Sequence, residues 1–336
     1  MSVKQKKRSR FSCCGGCSTI FIGVIVLVLV TGPLLQIFLA PRMHARILEF
    51  YPAPAQMFDV AGSQMHIYCE GQGSQTVIII NDPRDQSLAW RDVQAKLAGD
   101  ARVCIYDRLG RGWSGPASRA RSAKNIADEL DELVKAAGIA PGFVLVGDRY
   151  ATVYARMFAW RYPDQVGALL LVDEMNESPN ENSFLVALAE FFGYRVLMPE
   201  IIPTITIPQA IGDQFDRRYI LSPYAAGGVI CPPWMDSSVC GPWTAFENDG
   251  YDMQTWNIEM ANNSAAWRAL ESPQVQYGDL QIVILTGVEP GKGNVYADIL
   301  GRTTNGRTQI VPGNIKGALF EESPQSIEDA VKALLH

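Results

Sequence analysis

One stretch concentrates the residues that could do chemistry. Val144-Leu145-Val146-Gly147-Asp148-Arg149-Tyr150-Ala151-Thr152 runs from an apolar strand into a Gly-x-x-x-Ala turn, and then into a helix from Val153 to Tyr162 that stops at Pro163. A strand, a sharp turn with small residues two before and two after its apex, and a helix together present a catalytic nucleophile. The flanks must be small because the apex backbone is strained and packs closely. Here the apex is Arg149, whose guanidinium stays protonated and cannot attack a carbonyl. Moving the apex to Asp148 would put Val146 and Tyr150 on the flanks, and both are too bulky. The turn is therefore expected to lack a nucleophile.

The elements that must position this turn are legible around it. Met57 to Ala61 and Met65 to Glu70 read as a hairpin around Gly62-Ser63. Thr76 to Ile80 is a β-branched run suited to a strand buried on both faces. Ser87 to Leu97 reads as a helix and Arg102 to Tyr106 as the next strand, followed by the loop Asp107-Arg108-Leu109-Gly110-Arg111-Gly112-Trp113-Ser114. Ser122 to Ala137 has the clearest 3.6-residue period, with Ser122 as N-cap and Gly138 as terminator. Ala168 to Asp173 is another buried strand; Leu280 to Thr286 and Thr308 to Val311 are the last two. Ile327, Ala330, Val331 and Leu334 give a closing amphipathic helix. Strands alternating with helices imply a doubly wound, mostly parallel α/β sheet. Between about residues 176 and 273 the alternation stops, and this Pro-, Met- and aromatic-rich stretch reads as an inserted cap, with helical pieces near Phe184–Phe192 and Trp256–Leu270.

Ahead of the sheet, Phe11 to Pro41 carries no charge and Ile20 to Leu39 is almost wholly apolar. That length suits a membrane-spanning helix of about 20 residues and exceeds a signal-peptide apolar region. Lys4, Lys6, Lys7, Arg8 and Arg10 precede it and only Arg42 and Arg46 closely follow. The charge bias thus places the N-terminus in the cytoplasm and the large domain outside, as a single-pass protein of the cell membrane. The expected organisation is a basic, cysteine-bearing tail (1–18), a transmembrane helix (19–40), a linker (41–56) and the α/β domain (57–336). A net charge of -6 and the lack of a basic surface beyond the first ten residues exclude a nucleic-acid partner. The bilayer, and partners in a membrane-protein complex, are the associations this organisation implies. Cys13, Cys14 and Cys17 would lie at the cytoplasmic membrane surface, as reduced or acylated thiols.

From about Ala61 onward the chain resembles the α/β-hydrolase fold superfamily, most closely a membrane-anchored bacterial type. The resemblance rests on the Tyr68-Cys69-Glu70-Gly71-Gln72-Gly73 hairpin end, on Val103 to Ser114, on Val144-Leu145-Val146-Gly147, on Phe158 to Pro163, on Leu170-Leu171-Val172-Asp173, and on Pro324 after Glu321 and Glu322. It implies where catalytic groups should stand. The nucleophile position is Arg149, the acid position falls at Glu289, and the base position falls at Lys316-Gly317. The oxyanion loop is Asn81-Asp82-Pro83-Arg84-Asp85, where proline removes a donor and carboxylates oppose an oxyanion. The chain has three histidines: His44 beside the apolar segment, His66 expected to project from an outer hairpin strand, and the terminal His336. None can serve as the base that acyl transfer on this fold requires.

The expectation is a fold retained without its reaction: a degenerate hydrolase acting as a binding, structural or accessory component, with no cofactor and no metal. The alternative is an active esterase- or lipase-like hydrolase of unusual arrangement, using Asp148 or Ser114 with Glu289. Asn81, Asp82, Arg84, Asp85, Asp148 and Arg149 should meet at the former active-site mouth, either as a polar ligand site or as a self-satisfied ion network with Arg149 paired to Asp82 or Asp85. Asp82, Asp85, Asp148 and Glu289 could hold a hard cation, but Arg149 among them argues against it. The strand order of the fold makes Cys69 and Cys104 neighbours and so disulfide candidates, and Cys231 with Cys240 would close a small cap loop.

Overall fold

The computed structural model describes residues 40–83, 85–174, 235, 237–247, 249–287, 295–312 and 319–335, with residues 23, 27 and 31 besides. Most of the apolar segment, Cys13, Cys14, Cys17, Arg84, residues 175–234 of the cap with Cys231, Glu289, Lys316-Gly317 and His336 lie outside them. Among the described residues no helix is long and apolar enough to cross a membrane.

The chain builds an eight-stranded sheet among these residues, in the order β1-β2-β4-β3-β5-β6-β7-β8. β1 (Gln56–Val60) and β2 (Ser63–Glu70) form an antiparallel hairpin. Its two-residue turn, Ala61-Gly62, has φ of 53° and 76°, the backbone that matches the twist of a tight hairpin. β2 runs antiparallel to β4 (Arg102–Tyr106), with Cys69 opposite Cys104. From there the sheet is parallel: β3 (Thr76–Ile80), β5 (Phe143–Asp148), β6 (Val166–Val172), β7 (Gly278–Thr286) and β8 (Thr303–Ile310). β8 begins five residues before the strand expected at Thr308. Its Thr-Thr-Asn-Gly-Arg start is largely exposed at the sheet edge, so no apolar pattern marks it.

Helices cover both faces. α1 (residues 40–50) precedes the hairpin, α2 is Arg91–Leu97, α3 is Ala123–Ala136 and α4 is Thr152–Arg161. Ser122 caps α3, its hydroxyl accepting from the Asn125 N–H at 3.3 Å. α5 (Ser237–Glu247) and α6 (Gly250–Leu270) belong to the insertion. α7 (Val295–Leu300), α8 (Leu319–Glu322) and α9 (Pro324–Lys332) complete the chain. One apolar core lies under α3, α4 and α6 and includes Leu130, Phe158 and Trp267. The other lies under α2 and α9 and includes Trp90, Val93 and Ile327. Two cores separated by a sheet make a three-layer α/β/α sandwich.

Two differences from the sequence reading concern the insertion and the linker. α5 forms despite Gly241-Pro242, a pair that reads as a helix breaker. Residues 41–56 are not a free linker. Residues 40–50 are helical, and Ile47 and Leu48 pack with Leu88, Trp113 and Phe246.

Candidate functional site

The turn at the end of β5 keeps the geometry that its small residues permit. Arg149 has a φ of 47°, a left-handed conformation that costs a residue with a side chain about 1–2 kcal/mol. A Cβ on Gly147 would stand 2.8 Å from the Ala155 Cβ and 2.9 Å from the Thr152 Cα, so β5 and α4 approach this closely only with glycine there. Ala151 is fully buried. The Thr152 hydroxyl donates to the Arg149 carbonyl at 2.5 Å and closes the turn.

The Arg149 side chain is turned into the protein. Its guanidinium lies 5.5 Å over the Phe320 ring. Its Nε is 3.3 Å from Asp82 Oδ2 and 3.7 Å from Asp148 Oδ1, and its Nη2 donates to the Asp85 carboxylate. Burial alone would weaken its hold on the proton, but the surrounding carboxylates, Asp82 foremost, raise it above the ordinary arginine range. Of the residues expected at this mouth, Asn81, Asp82, Asp85, Asp148 and Arg149 come together, while Arg84 lies outside the described residues. Asn81 Nδ2 donates to the carbonyls of Asp82 and Asp85 at 3.1 and 2.6 Å, and the Asp85 N–H donates to the Asp82 carbonyl at 3.0 Å. These bonds curl the loop after β3 so that both acids face the arginine.

Asp82 does something further. Its Oδ2 accepts the backbone N–H of Tyr150 at 3.3 Å. The N–H after the apex of such a turn is one of the donors that would stabilise an oxyanion. Here an internal carboxylate occupies it. Asp148 is fully buried, and neither of its carboxyl oxygens has a hydrogen-bond partner among the described residues. Burial pushes its pKa well above the usual carboxylate range; Arg149 opposes the shift and Asp82 and Asp85 add to it. Asp173, at φ 49° after β6, accepts the Leu319 N–H at 2.7 Å, and burial raises it to about 6 against the pull of that bond and of Arg149.

Neither described histidine faces Arg149. His66 is buried, not projecting from the hairpin, and its Nδ1 is 2.9 Å from Asp107 Oδ2. β2 lies three strand spacings from β5 in the sheet, roughly 14 Å. His44 is on α1, where its Nδ1 lies 2.5 Å from Asp249 Oδ2. Burial lowers its pKa, but the Asp249 bond and charge outweigh that and leave it raised. His44, Asp249 and Asp252 stand close enough to hold a cation, yet Asp252 already accepts from Gln86 Nε2 and from the Gly112 N–H, and Asp249 accepts the Tyr251 N–H. Ser114 is likewise committed: its hydroxyl donates to the Asp107 carbonyl at 2.6 Å and accepts the His66 N–H at 2.9 Å.

The structure adds buried charge networks that no local pattern signalled. Glu259 of α6 takes Arg108 Nε at 3.1 Å and Arg121 Nη2 at 3.1 Å, and Arg121 also holds Glu129 at 2.7 Å. Arg156 pairs with Glu174 at 3.2 Å. A Cβ on Gly110, at φ 83°, would meet Thr255 Oγ1 at 2.6 Å, so α6 presses directly on the loop after β4. Cys69 and Cys104 form a disulfide. Cys240 is also disulfide-bonded, and Cys231, the partner expected for it, is outside the described residues.

Comparison with known proteins bears on the fold. No protein-family model matches the chain. A protein of Schizosaccharomyces pombe named only as uncharacterized is 26% identical over 151 residues, 36% of this chain and 28% of that protein. An AB hydrolase superfamily protein of Gibberella zeae is 33% identical over 96 residues, 27% of this chain and 30% of that one. The chain thus spans about a third of the length of these curated relatives. The solved structures reach further. Cfl2 of Burkholderia cenocepacia superposes with a TM-score of 0.60 at 17% identity, over 84% of this chain and 95% of that one. The epoxide hydrolase CorEH superposes with a TM-score of 0.57 at 14% identity, over 83% and 97%. With the strand order described above, these likenesses establish the α/β-hydrolase fold.

Proposed function

We propose that this chain is a membrane-anchored protein on the α/β-hydrolase fold that performs no hydrolysis and serves as a binding, structural or accessory component of a membrane complex. The observation that carries the reading is the double occupancy of the former catalytic turn. Arg149 stands at the nucleophile position, and the Asp82 carboxylate takes the Tyr150 N–H that an oxyanion would need. Acyl transfer requires a nucleophile, a base to activate it and a preorganised donor set. The first is replaced by a cation paired to Asp82 and Asp85, and one of the donors is already satisfied. Epoxide opening, the activity named for one structural neighbour, would need an ionised acid at the apex; the apex residue is Arg149, and Asp148 stands before it in the turn. Ser114, with both its hydrogen-bonding directions used inside the β4 loop, is an equally poor nucleophile. The anchor in this reading is the uncharged segment ahead of residue 41 with its basic flank.

The test is direct. The purified full chain is assayed with short acyl esters and with a serine-reactive phosphonate, while native membranes are used for a pull-down. No turnover, no labelling and stoichiometric recovery of membrane partners are expected. Turnover that disappears in Arg149→Ala or Asp148→Ala would overturn the reading.

A further inference from the structure

A cavity of about 500 Å³ lies over β2 and β4 and shares no residue with the arginine turn. Its walls include Phe50 at the end of α1, Tyr51 and Pro52 after it, Leu88, Trp113, and Val239 of α5. The volume falls within the range of small-molecule sites, about 300–1,000 Å³. Phe50 lines the cavity and is still 79% exposed, so the cavity reaches the surface beside this ring.

The polar side chains on the wall are committed elsewhere. Arg91 grips Glu70, with Nη1 2.8 Å from Oε2 and Nη2 donating to Oε1 at 3.1 Å, and it also donates to Gln94 Oε1 at 2.7 Å. The Tyr68 hydroxyl donates to the same Glu70 at 2.9 Å, and its ring lies 4.5 Å from the guanidinium. His66 turns Nδ1 to Asp107 at 2.9 Å, and its Nε2 is buried and presents no surface to the cavity. Trp113 Nε1 donates to the Tyr51 carbonyl at 2.7 Å. Among the described lining residues that leaves the Tyr51 hydroxyl, which stands beside Gly241. A phenol can donate to or accept from one polar atom of a guest, and it selects no charge. The rest of the wall gains only by taking hydrocarbon out of water.

We infer that this cavity holds one unbranched hydrocarbon chain, of a fatty acid or of a membrane lipid, with the polar head left at the opening beside Phe50. The choice of a chain follows from where the cavity opens. The uncharged stretch from Phe11 to Pro41 runs into α1, and α1 ends at the cavity wall. In the anchored reading, on which the source of the ligand rests, the opening therefore lies close to a bilayer, whose apolar bodies are acyl chains. The occupancy of the cavity is independent of the reading of the arginine turn.

The probes are ω-bromoalkanoic acids, from 6-bromohexanoate to 16-bromohexadecanoate, added to the purified full-length protein in a steroid detergent, which carries no alkyl chain to compete. Bromine quenches tryptophan on contact, and Trp113 is on the wall. Saturable quenching is expected, tightening about four-fold per methylene buried until the cavity is full and levelling beyond that length. The methyl ester of 12-bromododecanoate should bind no more weakly than the acid, because the wall selects no charge. Trp113→Phe should remove most of the signal. Val239→Phe puts a ring into the cavity and should bring the levelling to a shorter chain at an unchanged melting temperature. Vesicles of phosphatidylcholine brominated on one acyl chain separate the two sources: quenching of Trp113 in the reconstituted protein assigns the occupant to the bilayer, and its absence assigns it to free acids. Affinity that does not rise with length, that rises without levelling, or that favours the acid over its ester would overturn the inference. So would a length profile unaltered in Val239→Phe, or no saturable quenching at all. A protein that fails to float with vesicles yet shows the length profile would overturn the anchor alone.

Discussion

Replacing Arg149 by alanine tests the reasoning about the turn most sharply. In the native protein the guanidinium faces Asp82 and Asp85, and the side chains of all three are nearly or fully buried. Without it, two carboxylates remain in a region of low polarity, one supported by the Tyr150 N–H and one paired, among the described residues, to no other cation. Removing one partner of a buried ion pair costs about 3–5 kcal/mol, so Arg149→Ala should lose about that much at pH 7. Carboxylates left without a counter-charge titrate upward. Acidification to about pH 5 should therefore return a good part of the loss by neutralising them. The backbone supplies an internal control. Alanine inherits the strained φ of 47°, whereas glycine adopts it freely. Arg149→Gly should then be about 1 kcal/mol less damaging than Arg149→Ala. The assay is urea unfolding of the full chain followed by tryptophan fluorescence at both pH values. An alanine variant within about 0.5 kcal/mol of the parent, the usual scatter of surface substitutions, would refute the argument. So would a loss that is the same at pH 5 and pH 7.

Three further outcomes follow from the same structure. Glu259→Ala leaves Arg108 without its carboxylate partner and Arg121 with Glu129 alone; a loss of about 3–5 kcal/mol is expected, with faster limited proteolysis across residues 237–270, and an unchanged digestion pattern would count against the bridge as the fastening of α6. Reducing the Cys69–Cys104 disulfide reopens a 35-residue separation, worth about 3–4 kcal/mol by loop-closure entropy; a melting temperature indifferent to reductant would contradict it. Asp173 carries a folded-state pKa raised to about 6 by burial, so the native state binds more protons than the unfolded chain between roughly pH 4 and 6, and stability must fall as pH rises through that window. Asp173→Asn keeps an acceptor for the Leu319 N–H and should flatten that slope by about 1–2 kcal/mol after allowance for solvent screening; parallel stability–pH curves for parent and variant would show the assignment to be wrong.

The architecture was legible in the sequence because its signals are local. The β-branched run at Thr76 to Ile80, the period of α3 with its Ser122 cap, and the small residues Gly147 and Ala151 each act within a few residues of themselves. What escaped depends on distance or on edges. The His66–Asp107 pair joins residues 41 apart and the Arg108–Glu259 pair residues 151 apart, so neither leaves a pattern in a window. His66 lies on β2, the inner strand of the edge hairpin, where exposure is the natural expectation from sequence; the β4 loop folds back over it instead. The first residues of β8 are polar because one side of an edge strand needs no core. Residues 41–56 read as a linker, yet 40–50 are helical and Pro52 and Pro54 fall after the helix. At the turn, the identity of Arg149 was plain and its acidic surroundings could be listed. The Asp82 contact with the Tyr150 N–H could not, because a backbone donor has no letter in the sequence.

That contact changes what the turn means physically. A strained left-handed residue at a strand-to-helix turn is ordinarily tolerated because the exposed side chain and the open N–H gain transition-state contacts in return. Here both are spent on the protein itself. The cation of Arg149 satisfies Asp82 and Asp85, and Asp82 satisfies Tyr150, so the strain of about 1–2 kcal/mol is offset within the folded state and not at a reacting centre. A substrate oxyanion would have to displace a buried carboxylate from its arginine before reaching the N–H, at a cost of the same order as breaking that ion pair. Introducing a hydroxyl by Arg149→Ser would therefore leave a weak nucleophile with no described histidine near it and a donor no longer open, while freeing two acids to repel any anion that forms. Such a variant should remain unlabelled by a serine-reactive phosphonate, and labelling at residue 149 would show that the Asp82 plug yields more easily than its geometry implies.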